Sequence, residues 1–488
     1  MAGTKVSVVM NILKKRVVLP GMLMLMMMGL GGCSGDRAAK VDFPKDPDAT
    51  VMYDTTVLHN ETKWTVNNAH DPGIIKTDEG YYVFSTDVKV GGDPRPGVMV
   101  RKSEDLIHWK WVGYALPGIP ETAMNWTGAS SLWAPDVIKH GNEYRLYYSA
   151  STFGSRQSMI GMASASSIEG PWTDRGDVIR TESGDALNAI DPNIVTDAEG
   201  RMWMVYGSFF GGIHIIELDP DTGKPKEAGF GQLIAARDRL TEDGAVEGPY
   251  IVYNEKFKKY YLFVSYDSLF EDYNVRVARS DSITGPYVDF NGRDMTDTEF
   301  EPQFEVGNKI LGGYKFGEED GWIAPGHNSV LNDGGNYYIV HHARGEADKN
   351  WSYLHVRKIL WTEDGWPVVS PERYDGEMEQ DIPQSLLTGE WERIEHDPFV
   401  NGQVESTPLS LFEQGKLQGS LGTGTWNFDG KRTLTLTWDD VAEGDGRVEQ
   451  VQLLPAWDWE RGVKALVFTG LNEKGIAVWG KQISRSSK

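Results

Sequence analysis

Residues 190–207 read Ile-Asp-Pro-Asn-Ile-Val-Thr-Asp-Ala-Glu-Gly-Arg-Met-Trp-Met-Val-Tyr-Gly, and this stretch decides the fold. An acid beside a proline opens it. A short apolar strand, a polar turn and an aromatic-rich strand follow. The pattern returns four more times. His70-Asp71-Pro72-Gly73-Ile74-Ile75 leads to Tyr81-Tyr82-Val83-Phe84-Ser85, and Ala134-Pro135-Asp136-Val137-Ile138 leads to Tyr147-Tyr148-Ser149. Val246-Glu247-Gly248-Pro249-Tyr250-Ile251 leads to Tyr260-Tyr261-Leu262-Phe263-Val264, and Gly326-His327-Asn328-Ser329-Val330 leads to Tyr337-Tyr338-Ile339-Val340. The anchors Asp71, Asp136, Asp191, Glu247 and His327 lie 65, 55, 56 and 80 residues apart. Third and fourth strands are expected at 98–101 and 108–111, 159–162 and 170–172, 275–278 and 285–287, and 353–356 and 365–367. Four short strands per unit, five units and no helical periodicity predict an all-β, five-bladed β-propeller over residues 51–375. A large β-sandwich is the competing architecture, but it gives no reason for a polar anchor at the start of every unit.

After Pro383 the pattern changes. Runs at 391–394, 409–412, 425–428, 434–437, 450–453, 465–468 and 476–479 predict a C-terminal antiparallel β-barrel or sandwich over 383–488. Trp391, Trp426, Trp457 and Trp459 could face polymer there, although packing in a strand core is the commoner fate of tryptophan. At the other end, Lys14-Lys15-Arg16 precedes an apolar run to Leu30, then Gly31-Gly32-Cys33-Ser34. A basic region, a short apolar region and small residues before a cut predict a signal peptide over 1–32. The chain's only cysteine, Cys33, stands where a lipobox places the lipidated residue, and 33–50 reads as a tether. An exported bacterial lipoprotein of the cell envelope or surface is expected, its membrane contact made only through Cys33. One cysteine excludes a disulfide framework and a cysteine-built zinc site. A formal net charge of −23 repels phosphate backbones and excludes nucleic acid as a partner. Hydrophobic residues at 40% and charged residues at 24% are ordinary for a folded chain of two or three domains.

Propeller geometry brings the first strand of every blade to the axis. Residues far apart in sequence therefore meet at one mouth. Burying unpaired carboxylates is costly, so such a cluster points to catalysis or a metal. Asp136 follows its proline where Asp71 and Asp191 precede theirs, so it is expected to fix a turn. Asp71, Asp191 and Glu247 can supply the set that glycoside hydrolysis needs: a protonated donor for the leaving oxygen, an ionised base, and a third carboxylate that tunes the donor. An inverting enzyme holds acid and base roughly 6.5–9.5 Å apart to admit a water.

These motifs resemble glycoside hydrolase family 43. The likeness spans about 65–375 and rests on His-Asp-Pro-Gly (70–73), Leu-Trp-Ala-Pro-Asp-Val (132–137), Asn-Ala-Ile-Asp-Pro (188–192), Tyr-Gly-Ser-Phe-Phe-Gly-Gly-Ile (206–213), Val-Glu-Gly-Pro-Tyr (246–250), Ala-Pro-Gly-His-Asn-Ser-Val (324–330) and His-His-Ala-Arg-Gly (341–345). The domain after 383 is similar to the C-terminal domain of the family's two-domain arabinanases. The resemblance implies an endo-acting enzyme that cuts α-1,5-linked L-arabinofuranose chains with inversion. It implies Asp71 as general base, Glu247 as general acid and Asp191 as the residue that tunes and orients Glu247. It also implies substrate contacts at Asn188, Ala189, Ile190, Asp191, Ser208, Phe209 and Phe210, and His327 as part of a central, largely water-filled calcium site. Related sequences often carry Trp where this chain has Phe210, which weakens sugar stacking there. Trp133 is a second stacking candidate, with packing under the Ala-Pro turn as its alternative. His70 and His341 are expected to be structural, and Arg344 to pair with an axial carboxylate. The rival readings are an exo-acting arabinofuranosidase or β-xylosidase on the same fold, and a non-catalytic glycan-binding lipoprotein. A monomer is expected.

Overall fold

The computed structural model describes residues 41–48 and 54–485. The expected signal peptide, Cys33 and most of the expected tether lie outside the described residues. Among the described residues no helix is long and apolar enough to cross a membrane.

Five antiparallel sheets follow one another along the chain. Their inner strands are Gly73–Thr77, Trp133–His140, Asn193–Thr196, Val246–Asn254 and Trp322–Asp333. Each inner strand packs on the next, and the fifth packs back on the first, so the five sheets close as the blades of a propeller. The second strands, Gly80–Ser85, Glu143–Ala150, Met202–Tyr206, Lys259–Tyr266 and Asn336–Gly345, carry the aromatic runs. Tyr82, Tyr148, Tyr206 and Tyr261 on these strands are almost fully buried between blades. Each such side chain contributes about 1.5–3 kcal/mol on leaving water.

Closure of the ring uses the N-terminal segment. Leu354 N–H donates to Val66 O at 2.8 Å and Ala69 N–H donates to Ser352 O at 3.3 Å, so residues 66–69 lie along blade 5 before the chain enters blade 1. The buried guanidinium of Arg101 fixes that segment by donating to the carbonyls of Trp64, Thr65, Asn67 and Asn68. Asp136 staples blade 2 to blade 3: its carboxylate accepts from Ile194 N–H at 2.7 Å and Asn193 Nδ2 at 3.1 Å. It is structural, but it joins two blades where its sequence context indicated that it fixes a turn.

Blade 4 departs from expectation. Its outer strand is Asn308–Leu311 and not 285–287. Tyr287 turns inward instead, fully buried, with its hydroxyl donating to Ile283 O at 2.8 Å. The following loop is held by Asp289, which accepts from the N–H groups of Asn291, Arg293 and Gly307. A short α-helix, Glu121–Thr127, also escapes the strand pattern.

The C-terminal domain is a closed eight-stranded barrel: Gly389–Glu395, Thr407–Phe412, Lys416–Gly419, Gly422–Phe428, Thr433–Trp438, Val448–Asp458, Val463–Asn472 and Ala477–Arg485. All seven expected runs are strands. The strand Lys416–Gly419 is too short to show an alternation in sequence. Trp391, Trp426 and Trp457 are buried, so they hold the barrel together and do not face polymer. Trp459 is half-buried and donates its Nε1–H to Arg373 O in the propeller.

The two domains share a sheet. Gln403–Glu405, from the barrel side, pairs in parallel with Gly313–Lys315, which pairs in turn with the inner strand of blade 5. An apolar cluster crosses the same seam, with Tyr314 and Trp479 edge to face at 5.2 Å. Beside it Lys481, almost fully buried, meets Glu319 at 3.2 Å, Glu372 at 2.8 Å and Asp458 at 3.2 Å. Arg461 joins Glu319, Glu392 and Asp458, and Arg373 joins Glu460.

Candidate active site

The anchors reach the axis because the backbone turns left-handed just where each blade begins. Asp71, Asp191 and His327 take φ of 49°, 60° and 45°, and Ala134 and Gly248 take 38° and 56°. Non-glycine residues there cost roughly 1–3 kcal/mol each, and they persist only where surrounding contacts fix them. Those contacts come from neighbouring blades. Asp191 N–H donates to Ser149 Oγ at 2.9 Å, His327 N–H to Ser265 Oγ at 2.8 Å and Ala134 N–H to Thr86 Oγ1 at 2.7 Å. Blades 2, 3 and 5 are thus each held at this turn by a hydroxyl of the preceding blade, while Asp71 N–H donates to His342 Nδ1 at 3.2 Å and Gly248 N–H to Asp191 at 3.1 Å.

The result is a cavity of about 570 Å³ at one mouth of the axis, lined by Asp71, Asp191, Glu247 and His327 among others. Asp71 is buried and crowded by imidazoles: His70 Nδ1 lies 2.7 Å, His327 Nδ1 3.2 Å and His342 Nδ1 3.6 Å from its Oδ1. Thr86 donates to its Oδ2 at 2.5 Å. Burial alone would raise its pKa, but the neighbouring histidines, His70 first, outweigh burial and hold Asp71 well below the usual carboxylate range. Asp71 is therefore ionised.

Glu247 is gripped at both oxygens. Ser208 Oγ donates to Oε2 at 2.8 Å and Tyr273 OH donates to Oε1 at 2.8 Å. Burial, then the carboxylates of Glu247, Asp71 and Asp191, push the Tyr273 phenol well above its ordinary value, so it remains a donor. Asp191 accepts Gly248 N–H at 3.1 Å, which ties it to the residue after Glu247. Burial, then the charges of Glu247 and Asp71, raise Asp191 well above the ordinary carboxylate value. Among the described residues no lysine or arginine forms an ion pair with this trio. Like charges without a counter-cation disfavour full ionisation, so Asp191 keeps a proton more readily than an ordinary carboxyl.

The predicted contacts divide. Trp133, Asn188, Ile190, Ser208, Phe209 and Phe210 line the cavity. Ala189 is fully buried behind them, with its N–H donated to Thr181 Oγ1 at 3.1 Å. Trp133 is half-buried, and its Nε1–H donates to Ser131 Oγ at 2.7 Å. His341 is structural: Arg357 Nε donates to its Nε2 at 3.3 Å, and burial pushes its pKa down to about 3. His70 is not merely structural, because it touches Asp71. Arg344 reaches no carboxylate. It sits 3.2 Å from His70 Nε2 and acts on Asp71 through that ring. His70 also stacks on His342 at 3.8 Å.

Tyr273, Thr86, His342, Phe153 and Phe270 escaped the sequence reading. Thr86 had a signal. Its N–H donates to His70 O as Gly207 N–H donates to Ile190 O, so aligning the two repeats puts it one place after the strand, beside the anchor acid. Tyr273 had none, since it lies in a loop outside the repeated pattern.

Fold and site together define a class: a five-bladed propeller with a buried carboxylate trio from three blades at one mouth of its axis, joined to a closed barrel. The family model for glycosyl hydrolases family 43 matches residues 65–367, and that of a C-terminal lipocalin-like domain matches 371–480. The chain belongs to glycosyl hydrolase family 43. It is 32% identical over 465 residues to an extracellular endo-α-(1→5)-L-arabinanase of Thermotoga petrophila, covering 86% of this chain and 94% of the relative. A second such protein, from Bacillus subtilis, is 32% identical over 456 residues, covering 85% and 93%. The crystal structure of an endo-1,5-α-L-arabinanase from Thermotoga petrophila superposes with a TM-score of 0.77 at 31% identity, covering 86% of this chain and 99% of that one.

Proposed function

We propose that this chain is an endo-α-1,5-L-arabinanase that hydrolyses arabinan with inversion. The observation that carries the reading is the unlike setting of two carboxylates in one cavity. Asp71 is held ionised among imidazoles, while Glu247 is gripped by the hydroxyls of Ser208 and Tyr273 and faces Asp191, whose carboxyl burial and the neighbouring charges raise well above its ordinary value. Asp71 takes a proton from water as the water's oxygen attacks the anomeric carbon. Glu247 delivers its proton to the departing O5 of the next sugar. Asp191 keeps that proton available by its charge, and Tyr273 and Ser208 fix the aim of Glu247. Ser208, Phe209, Phe210, Asn188 and Trp133 position the sugar. Similarity to endo-acting relatives along both domains supports internal cleavage.

We assign His327, which lines the cavity, to a calcium ion held mainly by water: calcium prefers oxygen, so a single imidazole nitrogen would leave most of the coordination to water. Bound there, the ion would add positive charge beside Asp71. The extracellular relatives fit export, and Cys33 is the proposed lipid anchor. The cavity is complete within one chain, which fits a monomer.

The test is hydrolysis of debranched linear arabinan by the fragment that starts after Cys33, beside its Glu247→Ala copy. Short arabino-oligosaccharides from the first and not the second, with the inverted anomer seen first by NMR, are expected. Monomer alone would make the enzyme exo-acting, and binding without release would make it a glycan-binding protein. Membrane recovery lost in a full-length Cys33→Ser variant is the expected sign of the anchor.

A further inference from the structure

Two phenylalanines stand in water at the mouth of the cavity. Phe153, in the loop after the second strand of blade 2, is 79% exposed, and Phe270, in the matching loop of blade 4, is 54% exposed. Their blades are not neighbours. The rings nevertheless meet, with centroids 6.4 Å apart and planes tilted by 51°. Both line the cavity that holds the three acids, with Phe209 and Phe210 of blade 3 in the sector between them. Neither loop is loosely built. Arg344 donates its Nε–H to Leu269 O at 3.1 Å and sets its guanidinium 5.6 Å from the Phe270 ring. On the opposite side, Ser155 N–H closes a turn onto Thr152 O at 3.0 Å, and Arg156 donates to Asp185 O.

Exposed aromatic rings at a sugar-cleaving site have a chemical use. The C–H face of a furanose ring covers them and recovers the cost of their exposure. A pair that touches across the mouth does more than one ring can. It bridges the cavity mouth, so a chain in the cavity must run past the touching rings and cannot pass between them. In an α-1,5 chain the backbone leaves O2 and O3 of each sugar free, and a branch on either would have to pass this bridge.

We propose that Phe153 and Phe270 form an aromatic gate that admits unbranched arabinan and excludes sugars substituted at O2 or O3. This rests on the arabinanase reading above and names the form of the polymer that the site accepts. Arg344 links the gate to the base, because the same guanidinium that seats Phe270 touches His70, which touches Asp71.

The experiment compares initial rates on debranched and on branched arabinan for the full soluble fragment and its Phe270→Ala, Phe153→Ala and Phe270→Tyr variants. Both rings are exposed, so melting temperatures should match the parent. The Ala variants should raise the branched-to-linear rate ratio by about fivefold or more, mainly through KM, and Phe270→Tyr should keep the parent ratio. An unchanged ratio in both Ala variants, with the parent active on linear arabinan, overturns the gate and leaves the arabinanase reading standing. A parent inactive on both polymers overturns the two together.

Discussion

The carboxylates at the seam between propeller and barrel and those at the propeller axis are built on opposite plans. At the seam between propeller and barrel, Glu319, Glu372 and Asp458 surround the ammonium of Lys481, with Arg461 and Arg373 close by. At the axis, Asp71, Asp191 and Glu247 meet only imidazoles, hydroxyls and backbone N–H groups. Lys481 offsets part of the seam's negative charge, and a proton held there lies outside the axial cavity. At the axis no such cation offsets the charge, and an open cavity lets a proton be delivered. Burial is common to both, so burial by itself does not mark a catalytic site. What marks it is the lack of a fixed counter-charge together with access to solvent.

Substitutions can break this contrast from either side. Asp71→Asn and Glu247→Gln keep shape and remove chemistry. Each should lower kcat on linear arabinan by about 10³-fold or more, with a melting temperature within a few degrees of the parent. Lys481→Met does the reverse. It strands buried carboxylates and should cost about 3–5 kcal/mol by denaturant unfolding, while residual folded enzyme keeps its kcat. Asp191→Asn sharpens the axial side. Losing its negative charge weakens retention of a proton among the axial acids, so kcat should fall by about 10²-fold and the alkaline limb of the rate profile should move to lower pH. Tyr273→Phe removes one donor to Glu247 and should lower kcat by about tenfold, with KM little changed. The smallest effect belongs to the seam. Burial pushes Glu372 up to about 8 and Glu319 up to about 7, from an ordinary 4.5. A raised folded pKa contributes stability in full below the unfolded value and loses it as pH rises through the folded one. Melting temperature should therefore decline between about pH 5 and 8, and Glu372→Gln should flatten that decline.

The propeller was legible because each blade repeats an acid or histidine, a turn and an aromatic strand, and the closure of a ring gives the repeats one meeting point. The three acids were legible for the same reason. Asp136 was rightly set apart by its place after Pro135. What escaped was whatever breaks the repeat. Tyr273, Phe153 and Phe270 sit on loops whose lengths differ from blade to blade, so no periodicity announces them. Arg344 was noticed, but its partner His70 is set by the approach of blade 5 to blade 1, which no local pattern encodes. The barrel tryptophans were ambiguous because a strand's alternation shows two faces without showing which is inside. Closure of the eighth strand onto the first decides that, and Trp391 goes in.

The manner in which the ring closes has a consequence for how the enzyme comes into being. Asp71 belongs to the first blade, yet two of the imidazoles around it, His327 and His342, belong to the last, more than 250 residues later. Arg101 holds the segment 66–69 from blade 1, but its two hydrogen bonds to blade 5 form only when Ser352 and Leu354 exist to receive it. During synthesis, a chain lacking blade 5 therefore carries all three acids but lacks two of the imidazoles around Asp71. The setting of the base is completed last, when the polypeptide joins its own beginning.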